Sequence, residues 1–86
     1  MKERRSKDQM IIEILRICID GENVTKIVYQ SNTNFTTIKA YLDLLMKHDL
    51  VEYMDSSQKI YKTTGKGLEI MRRLQDLQKE LEELVV

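Results

Sequence analysis

Three short amphipathic segments follow one another in the first half of this chain, and only three polar residues separate the second from the third. In the first segment, apolar residues recur at helical spacing: Met10, Ile11, Ile14, Leu15 and Cys18. Ser6 and Gln9 match a capping box at its start. Asp20 and Gly21 end it, because glycine readily adopts the left-handed conformation that closes helices. The pattern therefore predicts a first helix.

The second segment predicts a short helix followed by a tight turn. Thr25 is a good N-cap, and we expect a helix from there to about Ser31, with Ile27 and Val28 pointing inward. The turn is Asn32-Thr33-Asn34, in which Asn32 tolerates a positive φ and Asn34 can cap the next helix.

The third segment predicts a longer helix from about Phe35 to Lys47, closed by His48-Asp49. Its buried stripe comprises Ile38, Tyr41, Leu42 and Leu45. The residues largely on the opposite side are Thr36, Thr37, Lys39, Ala40 and Asp43. We expect Tyr29 and Tyr41 to be core residues, and His48 to interact favourably with the dipole at the helix end.

Beyond this helix the pattern changes to a hairpin and then back to a helix. Residues 50–54 and 59–63 contain β-prone side chains, and the polar residues 55–58 between them suit a turn. Tyr53 and Tyr61 lie on this hairpin, and the sequence leaves their role open. A last helix is predicted from near Thr64 to the end, about 20 residues and ~30 Å long.

The last helix carries apolar residues spaced four, three, four and three apart: Ile70, Leu74, Leu77, Leu81 and Leu84. This is the core pattern of a coiled coil over about two heptads. The stripe can pack on the chain's own body or on a second copy, and the two clean heptads favour the second copy. We therefore expect residues 1–67 to form the main domain, and residues 68–86 to be a dimerisation helix within the same compact unit.

Composition excludes several classes of protein. A length of 86 residues suits one domain. Apolar residues make up 42% of the chain and charged residues 33%, a composition typical of a globular protein. Cys18 and His48 are the only residues of their types, so an intrachain disulfide and a Cys/His metal quartet are both impossible. We expect Cys18 to be buried. Since no nucleophile–base pair or glycine-rich phosphate loop is present, we expect neither an enzyme nor a cofactor or small-molecule ligand.

The order helix, helix, tight turn, helix, hairpin, helix predicts a winged helix-turn-helix domain, mainly α with a small β-hairpin. In this motif the start of the third helix enters the major groove of double-stranded DNA. The residues expected to read bases there are Thr36, Thr37, Lys39 and Ala40, and Phe35 can contact a thymine methyl. Phosphate contacts are expected from Thr25, Lys26 and Lys59.

The net charge is zero, but the charges are unevenly distributed. Residues 1–67 carry eleven Lys/Arg and nine Asp/Glu, whereas residues 68–86 carry three and five. The densest positive cluster is Lys2, Arg4, Arg5 and Lys7, which is either a disordered tail or an arm that follows phosphates. Residues 10–19, the longest apolar stretch, are interrupted by two charges, so we expect no signal peptide and no membrane span. A cytoplasmic, nucleoid-associated protein is expected.

The chain resembles the small archaeal winged-helix DNA-binding proteins, a ten-kilodalton class of transcription regulators and chromatin-associated proteins. The matching stretches are TKIVYQSNTNF at residues 25–35, IKAYLDLL at 38–45, LVE at 50–52 and YKTTGKGLEIM at 61–71. The resemblance implies a homodimer whose last helices pair as an antiparallel coiled coil, with a winged-helix head at each end. Asp49 stands where that class usually has a glycine, and the last helix is short.

A second function is also open, because winged-helix domains also act as protein–protein adaptors. The zero net charge and the acidic end of the chain are compatible with that reading. The two functions predict different surfaces. DNA binding predicts a continuous positive surface that joins Lys26, Lys39, Lys59 and the N-terminal cluster. An adaptor predicts a third helix that is covered, or whose outer face is neutral and apolar.

Overall fold

The computed structural model describes residues 6–85, and within them the chain forms four helices and one antiparallel hairpin. The elements are α1 (Lys7–Ile17), α2 (Val24–Ser31), α3 (Phe35–Lys47), β1 (Val51–Asp55), β2 (Ile60–Thr63) and α4 (Gly65–Val85). α1 is the central helix, in contact with α2, β2 and α4. The predicted mainly helical, winged helix-turn-helix fold with a long last helix is confirmed.

α1 begins with the predicted capping box. Ser6 Oγ accepts a hydrogen bond from the backbone N–H of Gln9 (3.1 Å), and Gln9 Oε1 accepts one from the backbone N–H of Ser6 (3.2 Å). The helix ends at Ile17, and Gly21 lies in the turn beyond it with a φ of 95°. Ile12, absent from the predicted apolar face, is buried because α1 is packed on more than one side.

The prediction that Thr25 caps α2 is wrong. Asn23 Oδ1 accepts a hydrogen bond from the backbone N–H of Lys26 (2.9 Å), so α2 begins at Val24 and Thr25 lies exposed in its first turn. Asn23 follows Glu22, whose backbone pairs with that of Tyr61. This pairing leaves Asn23 in the extended conformation that an N-cap requires.

The turn between α2 and α3 matches the prediction. Asn32 has a left-handed φ of 53°, and Asn34 Oδ1 accepts a hydrogen bond from the backbone N–H of Thr37 (2.8 Å). α3 has the predicted bounds. Its fully buried residues are Ile38, Leu42 and Leu45, whereas Tyr41 is only partly buried.

β1 begins one residue later than predicted because Leu50 lies in the turn that closes α3. Asp49 turns the chain with a φ of 61°, and the N–H of Leu50 then donates to the carbonyl of Leu45 (2.9 Å). Thr63 at the end of β2 ties the hairpin to α1. Its N–H donates to the carbonyl of Cys18 (3.0 Å), and its Oγ1 donates to that of Leu15 (2.6 Å).

The core lies between α1, α3 and the hairpin, and Cys18 is fully buried in it, as predicted. α4 starts beside this core, with Thr64 Oγ1 accepting a hydrogen bond from the N–H of Gly67 (2.9 Å). The first half of α4 packs on the body through Met71 and Leu74. The division into residues 1–67 and 68–86 stays a prediction, and its boundary falls within the first turn of α4.

Candidate nucleic-acid interface

The outward face of α3 is a stripe of four exposed residues: Thr36, Ala40, Asp43 and Lys47. They are spaced four, three and four apart, so they lie on one side of the helix, opposite its buried stripe. Two of the predicted base-reading residues, Thr36 and Ala40, therefore lie on the outermost line of α3. The other two, Thr37 and Lys39, lie beside it and are partly buried.

The ammonium group of Lys39 is engaged within α3. Its Nζ donates to Oδ1 of Asp43 at 3.3 Å, and the two side chains are 43% and 65% exposed. This hydrogen bond raises the pKa of Lys39, and electrostatic interactions with Tyr61, Asp43 and Tyr53 raise it further. Lys39 is therefore close enough to the hairpin to interact electrostatically with both tyrosines, and the Asp43 carboxylate one turn away offsets its charge.

The two tyrosines of the hairpin form a pair beside Lys39. They are register partners, with ring centroids 5.1 Å apart and planes tilted by 46°. Tyr61 is 2% exposed, and burial followed by a hydrogen bond with Tyr53 raises its pKa. Tyr53 is 39% exposed. The sequence left the roles of these two tyrosines open. In the structure Tyr61 is a core residue, whereas Tyr53 is partly exposed.

The tip of the hairpin is ordered by one carboxylate. Asp55 Oδ1 accepts hydrogen bonds from Ser57 Oγ (2.7 Å), the N–H of Ser57 (3.0 Å) and the N–H of Gln58 (3.4 Å). The hydrogen bond from the Ser57 hydroxyl is the main cause that lowers the pKa of Asp55. Lys59, predicted to contact phosphate, is exposed at the tip with a left-handed φ of 55°.

α2 presents an exposed start and one unexpected aromatic ring. Thr25 and Lys26 are exposed in its first turn. Tyr29 is 85% exposed, so the prediction that it is a core residue is wrong. Ile27 and Ser31, four apart, form the buried stripe of α2, and Tyr29 lies two positions from each and hence on the opposite side. That spacing could have identified Tyr29 as a surface residue.

The predicted contact residues lie on three different elements. Lys26 lies on α2, Lys39 on α3 and Lys59 at the hairpin tip. The same three elements carry exposed aromatic side chains, with Tyr29 at 85%, Phe35 at 56% and Tyr53 at 39% exposure. Lys7 is exposed at the start of α1. The other members of the N-terminal basic cluster, Lys2, Arg4 and Arg5, lie outside the described residues.

The leucine stripe of α4 is divided between the body and the surface. Leu74 packs on the core of its own chain. Farther along the helix the leucines become progressively exposed, at 50% for Leu77, 52% for Leu81 and 80% for Leu84. A distal apolar surface therefore remains on α4 after the chain has folded.

The residues that the structure describes carry neither a metal-binding cluster nor a membrane-spanning helix. No group of three or more His, Cys, Asp or Glu side chains within residues 6–85 could hold a metal ion. In that part of the chain, no helix is both long enough and apolar enough to cross a membrane.

Comparison with known sequences identifies one family. A sequence model described as winged helix-turn-helix matches residues 4–82. No curated protein matches the chain by sequence. Nearly the whole chain, including the hairpin and most of α4, is thus covered by one family model.

Solved structures with the same architecture include an archaeal protein and two repressors. Sso10a-2, a DNA-binding protein from Sulfolobus solfataricus, has a TM-score of 0.84 and 26% identity, over 94% of this chain and 86% of that one. The multiple antibiotic-resistance repressor MarR from Listeria monocytogenes has a TM-score of 0.70 and 16% identity, over 88% and 57%. The transcriptional repressor CouR, bound to p-coumaroyl-CoA, has a TM-score of 0.68 and 24% identity, over 94% and 62%. The chain thus spans less than two thirds of either repressor, and the likeness to those two shows the fold alone.

Proposed function

Because this chain belongs to the winged helix-turn-helix family, we propose that it binds double-stranded DNA as a homodimeric, sequence-selective transcriptional regulator. α3 lies in the major groove, and the hairpin lies on the phosphate backbone. The observation that carries the proposal is the exposed stripe of α3, which begins directly after a capped turn and is left uncovered by the rest of the described chain. The similarity to the archaeal DNA-binding protein Sso10a-2 supports it.

Phosphate contacts are assigned to exposed groups on the elements that flank α3. Thr25 and Lys26 lie at the start of α2, where the helix dipole favours an anion. Lys59 lies at the hairpin tip, and Lys7 continues the basic N-terminal segment that contains Arg4 and Arg5. Such contacts supply affinity and orientation without reading sequence. Base reading is assigned to the start of α3, where the predicted residues Phe35, Thr36, Thr37, Lys39 and Ala40 lie.

Dimerisation is assigned to α4. Leu77 and Leu81 are half exposed and Leu84 is mostly exposed, although all three continue the spacing of a coiled-coil core. A second α4 offers a matching apolar stripe, and mutual burial removes these side chains from water. The remaining positions of the stripe, Ile70 and Leu74, extend the contact toward the body.

A DNA titration over a series of salt concentrations tests the proposal. Fluorescence anisotropy is measured with random duplex and with genomic fragments, so that general affinity and selectivity are obtained together. We expect log affinity to fall linearly with log salt, with a slope of about −0.9 per phosphate neutralised. We also expect some genomic fragments to bind more tightly than random duplex. An affinity that does not change with salt contradicts the proposal.

One set of observations favours a different function, that of a protein-binding adaptor. The rings of Tyr29 and Phe35 are exposed, and the charge of Lys39 is offset by Asp43. A surface that is partly aromatic and locally neutral suits a protein partner better than a phosphate backbone. If the protein binds no duplex in the same titration, the adaptor function is favoured over DNA binding.

A further inference from the structure

Few side chains of α3 can form specific hydrogen bonds with base edges. In the major groove, Arg or Lys reads guanine, Asn or Gln reads adenine, and Glu or Asp accepts from cytosine, whereas Ser or Thr bonds to donors and acceptors alike and so distinguishes bases poorly. The sequence of α3, FTTIKAYLDLLMK, contains no Arg, Asn, Gln or Glu. Its charged residues are Lys39, Asp43 and Lys47, and Lys47 lies in the last turn, away from the end that enters the groove.

The two charged residues nearest the start of α3 are engaged with each other. Lys39 Nζ lies 3.3 Å from Asp43 Oδ1, and Lys39 also interacts with Tyr53 and Tyr61 on the hairpin side. For Lys39 to reach a guanine, its ammonium must leave Asp43, and an unpaired carboxylate then remains on the outward stripe facing the phosphates. The adjacent amide of Asn34 is also occupied, because its Oδ1 caps the N–H of Thr37.

Methyl groups dominate the part of α3 that remains available. Thr36 and Ala40 are exposed on the outermost line of the helix, and Thr37 is partly exposed beside them. Each of these three side chains carries one methyl group, and the ring of Phe35 is 56% exposed at the helix start. Ala, the methyl of Thr, and Phe are the side chains that make apolar contact with the C5-methyl group of thymine.

We infer that α3 distinguishes DNA sequences mainly through the C5-methyl group of thymine, and not through hydrogen bonds from Lys39 to guanine. The inference rests on the proposed DNA-binding function and names the chemical group that the same surface recognises. We therefore expect the protein to prefer thymine-rich duplex, with modest selectivity. Lys39, held by Asp43, contributes little to the choice of base.

Duplexes that differ only in major-groove methyl groups test this directly. One sequence of about 20 base pairs is prepared with thymine, with deoxyuridine in place of thymine, and with 5-methylcytosine in place of cytosine in the deoxyuridine duplex. Deoxyuridine lacks the C5-methyl, whereas 5-methylcytosine adds a methyl at the same ring position of a G·C pair. We expect deoxyuridine to weaken binding roughly fourfold for each contacted methyl, and 5-methylcytosine to recover affinity where it places a methyl at a contacted position.

Two substitutions at one position separate the methyl of Thr36 from its hydroxyl. Thr36→Ser removes the methyl and keeps the hydroxyl, so we expect the difference between thymine and deoxyuridine duplexes to shrink. Thr36→Val keeps the methyl and removes the hydroxyl, so we expect the difference to remain. Lys39→Met should leave the difference unchanged, while binding to all duplexes weakens to a similar extent.

The outcomes of the titration distinguish this inference from the function on which it rests. Equal binding of thymine and deoxyuridine duplexes, with normal salt dependence, overturns methyl recognition and leaves DNA binding in place. A preference for G·C pairs that disappears in Lys39→Met also overturns it and assigns reading to Lys39. No binding to any duplex overturns both the inference and the proposed function.

Discussion

Gly67 lies directly against the backbone carbonyl of Leu50, so that a β-carbon at Gly67 would overlap the carbonyl oxygen. The same carbonyl accepts a hydrogen bond from the N–H of Thr64 (3.0 Å), and Thr64 Oγ1 donates to the carbonyl of Asp49 (2.7 Å). The first turn of α4 is therefore held against the segment that ends α3. Because of this contact, a dimer formed through α4 would hold its two α3 helices at a defined separation.

Substitution of the two glycines at the start of α4 should have opposite effects. Gly67→Ala forces the backbone at Leu50 to move, and we expect the free energy of unfolding to fall by about 1–3 kcal/mol. Gly65→Ala is the matched control, because no atom lies within 4 Å of a β-carbon there. It should leave stability unchanged or raise it by less than about 1 kcal/mol. Urea denaturation at one protein concentration measures both variants, and equal stabilities would contradict the packing argument.

The exposed leucines of α4 should control oligomeric state. Sedimentation of the intact protein at micromolar concentration should give twice the chain mass of 10.2 kDa. Leu77→Glu with Leu81→Glu should give a monomer, since the pairing of two α4 helices would bury unpaired charge. Lys79→Glu is the control for added negative charge, because it lies between the two leucines in sequence and outside their stripe. A monomeric wild-type protein at this concentration would contradict the proposed dimer interface.

Charged residues beside the leucine stripe should report the orientation of the two helices. Arg73 and Glu80 occupy equivalent heptad positions. Antiparallel pairing in the register that sets Leu74 opposite Leu77 of the partner subunit places Arg73 beside Glu80 of the partner subunit. Arg73→Glu should then weaken dimerisation roughly three- to tenfold at low salt, and addition of Glu80→Arg should restore it. Parallel pairing predicts no rescue, because Arg73 would lie beside Gln78 of the partner subunit. Dimer dissociation constants from sedimentation equilibrium decide between the two orientations.

Lys59 at the hairpin tip should act on all duplexes alike. Removal of one phosphate contact by Lys59→Ala should weaken both random and preferred DNA, and reduce the salt slope by about one unit. Lys79→Ala on α4 removes the same charge far from the start of α3 and should leave the slope unchanged. A Lys59→Ala protein with the slope of the wild type would indicate that the hairpin tip does not contact phosphate.

The buried thiol of Cys18 should make stability depend on pH in the alkaline range. Burial, with a smaller effect from Glu22, raises the pKa of Cys18 from 9.0 to about 12. Between these values the unfolded chain loses the thiol proton and the folded chain keeps it, so unfolding becomes easier as pH rises above 9. Cys18→Ala should reduce the fall in unfolding free energy between pH 8 and pH 10. A fall of equal size in both proteins would contradict the assignment to Cys18.

Much of the helical framework could be predicted because helix caps and periodicity act over a few residues. Ser6 with Gln9, the left-handed Asn32 and the cap at Asn34 all have the predicted geometry, and α3 has the predicted bounds. The first residue of α2 could not be predicted in this way, because Asn23 and Thr25 both have side chains that suit an N-cap. The exposure of Tyr29 follows from its spacing, because it lies two positions from the buried Ile27 and two from the buried Ser31.

The sequence by itself determined the order of the elements, the capped turn before α3 and the apolar stripe of α4, because each depends on neighbours within about one helical turn. Only the tertiary structure decided between Asn23 and Thr25, since the backbone pairing of Glu22 with Tyr61 places Asn23 in extended conformation. It also decided that Tyr61 is buried while Tyr53 is partly exposed, and that Lys39 interacts electrostatically with both tyrosines. These outcomes depend on contacts between distant parts of the chain, such as the hydrogen bond from Thr63 to Leu15 across 48 positions, and no local pattern encodes them.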